Sequence, residues 1–170
     1  KNEKLYNQGI SSDEQWIKVN KWKKTISELL LLPSLEIDYL GLNAYIKTYL
    51  LRDKKDNISE TPHHSRIRLS IFFAEKEEDV KENYYALVEG WSPPTPTLCN
   101  AGTTEGQLAS CQLHYLKGDS LEGIMDSAKD FAISSKNKAG IGVAAYNQRA
   151  KGSKSSKGWS AAGVVQNMKI

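Results

Sequence analysis

Residues Leu108 to Ala145 read as strand, helix, strand, and that pattern constrains the fold more than any other stretch of the chain. "QLASCQLHYL" alternates as a strand does, with Leu108, Ser110 and Gln112 on one face and Ala109, Cys111 and Leu113 on the other. "GDSLEGIMDSAKDFAISSKNKAG" then opens with a capping box, Asp119 as N-cap and Glu122 three residues on, and carries Leu121, Ile124, Met125, Ala128 and Ala132 along one stripe before Gly140. "IGVAA" is a short apolar strand. The two strands of such a unit are expected to be parallel, joined by a right-handed crossover. Parallel strands are normally covered on both faces within a larger sheet or barrel. Two strands alone would leave an unpaired edge and an apolar face, so a further surface is expected to complete them.

Upstream of this unit the period is helical. From Asp13 to Leu32 the residues Trp16, Val19, Trp22, Ile26, Leu29 and Leu30 recur at helical spacing, and Pro33 closes the run. A second amphipathic segment, "IDYLGLNAYIKTYLLR", is followed by the loop "NISETP", and Pro62 is placed to open a helix through "HHSRIRLSIFFA". Between Glu77 and Trp91 the residues Val80, Tyr84, Leu87, Val88 and Trp91 share one helical face. His63 and His64 are expected at a solvated helix start, with no third ligand to make a metal site.

With 170 residues and 39% apolar content the chain has room for a real core, as one domain or a piece of a larger one. No apolar run approaches the roughly 18 to 20 residues that a membrane span needs, and the N-terminal residues lack the pattern of a secretory signal. The expectation is a soluble, cytoplasmic protein without membrane contact. Two cysteines are too few for a disulfide scaffold, so each is either core filler or chemistry. Both fall within "PTPTLCNAGTTEGQLASCQL", between Pro94 and Leu113.

The net charge of +3 hides an asymmetry: from Arg149 to the end there are five basic residues, Arg149, Lys151, Lys154, Lys157 and Lys169, and no acid, so this stretch alone makes the chain basic. Cations interleaved with Ser and Gly in "RAKGSKSSKGWSAAG" suit phosphate groups, because backbone N–H donors and Lys charges can converge there. The same composition also describes a solvated loop. Direct nucleic-acid binding is not expected, since Trp159 is the only aromatic residue in this stretch.

Four motifs in order, "SPPTPTLCNAGTTEGQLASCQL", "DSLEGIMDSAKDFAISSK", "AGIGV" and "RAKGS", resemble the large catalytic subunit of class I ribonucleotide reductases. The resemblance is strongest from about Glu60 to Ser153 and includes "ETPHHSRIRLSI". It implies an α/β fold in which a helical N-terminal region, residues 1–92, precedes the first β-α-β unit of a ten-stranded α/β barrel, residues 93–170, with a basic Ser/Gly/Lys loop.

Residue by residue, the resemblance implies that Cys111 is one half of the redox pair that reduces the ribose. It implies that Ser110 contacts the ribonucleoside diphosphate substrate and that Thr95 helps hold the diphosphate. Gly142 corresponds to a backbone position where a side chain would meet the nucleotide. Asp119, Ser120, Leu121, Lys136 and Arg149 match the specificity site, where an effector nucleoside triphosphate binds at a dimer interface made in part by the 120–136 helix. No cofactor or metal is expected on the chain itself; the family's radical comes from a metal-containing small subunit. A thiol that delivers electrons needs an accessible strand position, and hydroxyls and glycine backbone suit a sugar diphosphate.

The resemblance also implies what lies elsewhere. The family's thiyl-radical cysteine, its Asn and Glu neighbours, the second redox cysteine and the relay tyrosines belong to later barrel segments, beyond Ile170, so the chain is not expected to turn over alone. Lys1 is not an initiator Met, and the family's N-terminal ATP cone is not recognisable. Cys99 stands where the family usually has an aromatic residue and is expected to be buried filler. "KAGIG" replaces a more glycine-rich sequence, bringing Lys138 and Ala139 beside the expected substrate.

Two readings follow. The chain is an N-terminal piece of a working reductase, completed by the polypeptide that carries the radical cysteine, or it is a catalytically inactive descendant that binds nucleotides or subunits as a scaffold. Thr95, Ser110 and Cys111 together favour the first, and "KAGIG" the second. A third reading, an independent phosphate-binding module, rests on the basic tail alone.

Overall fold

The computed structural model describes residues 2–33, 36–136, 139–154 and 158–167. The chain forms two compact units, residues 1–108 and 109–170.

The first unit is helical: α1 (Asn2–Asn7), α2 (Asp13–Lys21), α3 (Lys23–Leu30), α4 (Tyr39–Ala44) running into a π-helical turn (Tyr45–Tyr49), α5 (Pro62–Phe73), α6 (Glu77–Val88) and α7 (Thr95–Asn100). Local chemistry sets several starts. Ser12 accepts a hydrogen bond from the Gln15 N–H at 3.2 Å, Asp38 from Gly41 at 2.6 Å, and Thr61 from His64 at 3.3 Å with Pro62 in the first turn. At α6, Asp79 reaches back to the Lys76 N–H at 2.9 Å, and the acidic first turn complements the helix dipole.

The core gathers around α5. One side packs Ile67 and Ile71 with Trp22, Ile26, Leu29, Val80 and Tyr84, and the other packs Leu69 with Leu87 and Ala101. Each buried Leu, Ile or Val among them contributes roughly 1.5–3 kcal/mol by leaving water. Because α5 is covered on both sides, its apolar residues form no single stripe.

Three expectations change here. The helix expected from Asp13 to Leu32 breaks at Trp22, whose dihedrals (φ −108°, ψ 30°) depart from helical values at the largest side chain of the core cluster. His63 is buried rather than solvated: Nε2 meets the Leu29 carbonyl at 3.1 Å and Nδ1 the Tyr84 hydroxyl at 3.1 Å, so both ring nitrogens are used inside the core. Trp91 lies beyond α6 and is 53% exposed, meeting Phe73 edge-on.

The second unit holds β1 (Cys111–Tyr115), α8 (Leu121–Lys136), β2 (Gly140–Ala144) and the short α9 (Val164–Asn167). The strands pair in parallel with Cys111 opposite Gly140, Leu113 opposite Gly142 and Tyr115 opposite Ala144. This β-α-β unit after a helical region agrees with the expected α/β architecture of a barrel begun but not closed. Among the described residues, no helix is long and apolar enough to cross a membrane.

Candidate functional site

The two faces of the β1–β2 pair differ. On one face Gln112 accepts a hydrogen bond from the Ser134 hydroxyl at 2.7 Å, and His114 meets the Phe131 ring edge-on at 5.5 Å, so this side packs under α8. The other face is open: Cys111 and Tyr115 are exposed, and Leu113 is 92% exposed. Strand alternation puts Cys111 on the open face, and the small residues Gly140, Gly142 and Ala144 lie beside it.

Cys111 begins β1 as an exposed free thiol. A Cβ added to Gly140 would lie 3.7 Å from its Sγ, so the thiol rests over a strand position that has no side chain. Ser110, also exposed, anchors the pairing through its carbonyl, which accepts from Gly140 N–H at 2.7 Å. A Cβ on Gly142 would come within 2.8 Å of Leu113 Cδ2, the far end of an exposed side chain that can move aside. Cys111 and Gly142 therefore share one small sheet, and Ser110 immediately precedes it. Thr95 belongs to the first unit, where it is exposed as the first residue of α7.

At the start of α8 the cap is Ser120, not Asp119. The Ser120 hydroxyl accepts from Gly123 N–H at 3.1 Å, while Asp119 is hydrogen-bonded by the Arg149 guanidinium. That contact holds the Asp119 carboxyl below its usual range, outweighing partial burial. Asp119, Ser120, Leu121 and Arg149 thus cluster. Lys136 ends the same helix, sixteen residues long and so roughly 24 Å in length at 1.5 Å per residue.

The stripe expected to pack α8 is only partly inward: Ile124 and Ala128 are half-buried, whereas Leu121 is 70% and Met125 45% exposed. Its inward side carries Ser127 and Ser134, both buried. Ser127 accepts from Lys117 N–H at 3.0 Å and donates to the Gly123 carbonyl at 2.7 Å, so these hydroxyls are satisfied where apolar side chains were expected. Lys117 and Asp130 pair at 2.6 Å, raising the lysine pKa and lowering that of the aspartate.

Cys99 is half-buried, its Sγ 3.4 Å from the Thr48 carbonyl. In the basic stretch, Ala161 N–H donates to Ser153 at 2.8 Å and Gly152 N–H to Ala161 at 3.0 Å, giving a tight turn with Trp159 exposed. Lys138, Lys157 and Lys169 lie outside the described residues. Among the described residues, no group of three or more His, Cys, Asp or Glu side chains could hold a metal ion.

One feature of the α7 support was not read from the sequence. Arg68, on α5, donates from Nη1 to the Ala101 carbonyl at 2.6 Å and from Nη2 to the Leu98 carbonyl at 2.8 Å, and is fixed by buried Glu60. It thereby holds the C-terminal turn of the helix that begins with Thr95. The sequence signal was a cation between two core residues, Ile67 and Leu69.

A helical unit followed by an open parallel β-α-β unit is the architecture of a helical domain that leads into an incomplete α/β barrel. The family model for the ribonucleotide reductase all-alpha domain matches residues 35–106, and that for the ribonucleotide reductase barrel domain matches residues 109–170. The chain belongs to the ribonucleotide reductase large-subunit family. It is 37% identical over 129 residues to the ribonucleoside-diphosphate reductase large subunit of Arabidopsis thaliana, a match covering 75% of this chain and 16% of that one. Against the large subunit of Trypanosoma brucei brucei it is 35% identical over 151 residues, 85% of this chain and 18% of the relative. With the alpha subunit of Helicobacter pylori it shares 36% over 112 residues, 63% of this chain and 14% of the relative. The chain thus spans less than a fifth of the length of these relatives.

Proposed function

We propose that this chain contributes to ribonucleoside-diphosphate reduction as the first part of a large-subunit barrel, with Cys111 as one of two thiols that reduce the ribose. The observation that carries this reading is the exposed Cys111 thiol on the uncovered face of a parallel strand pair, beside Ser110 and over Gly140. In a closed barrel such a face turns inward, where a substrate can be kept from water. The two thiols give up two electrons and two protons as the 2' hydroxyl leaves as water, and they end as a disulfide. Ser110 holds the sugar, Thr95 the diphosphate, and Gly142 leaves room for the nucleotide. The radical that opens the reaction is supplied by a metal-containing small subunit acting through a cysteine on later barrel strands.

The same reading assigns Asp119, Ser120, Leu121, Lys136 and Arg149 to an effector nucleoside triphosphate. The exposed part of the α8 stripe supports pairing with a second copy. Antiparallel pairing across a two-fold axis would bring the partner's Lys136 towards Asp119 and Ser120, which one helix alone keeps roughly 24 Å apart.

The test is dithiol-dependent deoxynucleotide formation with the remaining barrel segments and a small subunit supplied. Turnover that vanishes on Cys111→Ser supports the reading. Turnover indifferent to that change refutes the redox role.

A further inference from the structure

We propose that a cavity beside α5 in the helical unit binds a carboxylate carried on a short apolar stem. The cavity measures about 120 Å³, close to the roughly 150 Å³ of engineered cavities that accept benzene. Tyr45, Leu69, Leu87, Trp91 and Leu98 form its apolar walls, and among the described residues Arg66 is the only charged one lining it.

Arg66 Nη1 is shielded from solvent and has no hydrogen-bond partner among the described residues. The guanidinium carbon lies 5.7 Å from the Tyr45 ring centroid. That ring attracts the cation's face but offers no in-plane acceptor to its N–H groups. Two positions along the same helix, Arg68 donates to Glu60, Ser65, Leu98 and Ala101. The contrast locates the deficit: a permanent cation with a desolvated, unaccepted N–H is costly until an anionic acceptor arrives.

A single planar fork matches a carboxylate, with two acceptor oxygens in one plane. A phosphate dianion normally gathers several cations or backbone donors, and among the described residues no lysine or second arginine lines this cavity. The apolar walls select the stem. The carboxylate can come from a free organic acid or from an acidic side chain flanked by apolar residues of a polypeptide. This inference is independent of the reductase reading, because none of its residues belongs to the proposed redox or effector site.

The test titrates the full chain with benzoate, with the peptide amide acetyl-Leu-Asp-Leu, and with inorganic phosphate, following the Trp91 indole resonance and heat of binding. Saturable binding of benzoate alone identifies a free acid, and saturable binding of the peptide alone a polypeptide-borne carboxylate; either supports the site if it weakens at least tenfold in Arg66→Met. Should that variant not fold, Arg66→Lys decides, since it keeps the charge but loses the fork and is expected to bind at least fivefold more weakly. Absence of saturation by both carboxylates, unchanged affinity in the variant used, or phosphate binding as tightly as the carboxylates would overturn the proposal.

Discussion

Arg68 and Glu60 form a two-pronged ion pair inside the helical unit, Nε to Oε2 at 3.0 Å and Nη2 to Oε1 at 2.9 Å, with side chains only 8% and 5% exposed. Glu60 Oε1 also accepts from Leu51 N–H at 3.0 Å, so the pair ties three segments of chain together. Removing one partner leaves the other charge buried. Arg68→Ala or Glu60→Ala is expected to lower stability by about 3–5 kcal/mol, measured by denaturant unfolding; a loss below about 1 kcal/mol contradicts this account.

Asp53 predicts an acid limb. Its carboxylate accepts from Lys4 Nζ at 2.7 Å and from the backbone N–H groups of Lys55 and Asn57, each at 2.9 Å. The Lys4 hydrogen bond, followed by that of Asn57, holds its pKa well below the ordinary carboxylate value. A depressed folded-state pKa adds stability that is present above the unfolded value, near 3.9, and is lost as pH falls from there through the folded value. Thermal melts of Asp53→Asn should therefore show a lower midpoint than wild type at pH 7 and a smaller gap at pH 2. An equal gap at both pH values refutes the assignment.

Gly142→Ala separates fold from function. The added methyl meets only the movable end of Leu113, so the melting midpoint should change little, corresponding to less than about 1 kcal/mol. Nucleotide binding or turnover by the completed reductase should fall at least tenfold if the open face receives substrate. Full retention of both counts against Gly142 as a substrate position.

The exposed part of the α8 stripe predicts self-association. Met125→Glu, at a 45% exposed position, should leave the melt of a dilute sample within about 0.5 kcal/mol of wild type and abolish any dimer seen by sedimentation. A dimer that survives the change does not use this face.

Legibility followed the range of each interaction. Helix α5 was readable because Thr61 and Pro62 signal its start locally, and the parallel strand pair because the period changes around a 16-residue helix. The cap of α8 is ambiguous in sequence because Asp119 and Ser120 are both good capping residues, and the arbiter, Arg149, stands thirty positions along the chain. The inward side of α8 was missed for a related reason: Ser127 and Ser134 are satisfied by Lys117 and Gln112, which no count of apolar residues on that helix contains. His63 followed the same pattern, with partners from α3 and α6. Cys111, Ser110 and Thr95 are candidates only through the family motif; alternation alone says that the thiol lies on one face of a strand, not which face is open.

Whether residues 109–170 work inside a completed reductase barrel is decided by native mass spectrometry of the protein drawn from its source without denaturation. Residues 1–170 are expected within a polypeptide or complex that also carries the remaining barrel strands. A chain found alone, or bound only to copies of itself, would contradict that expectation.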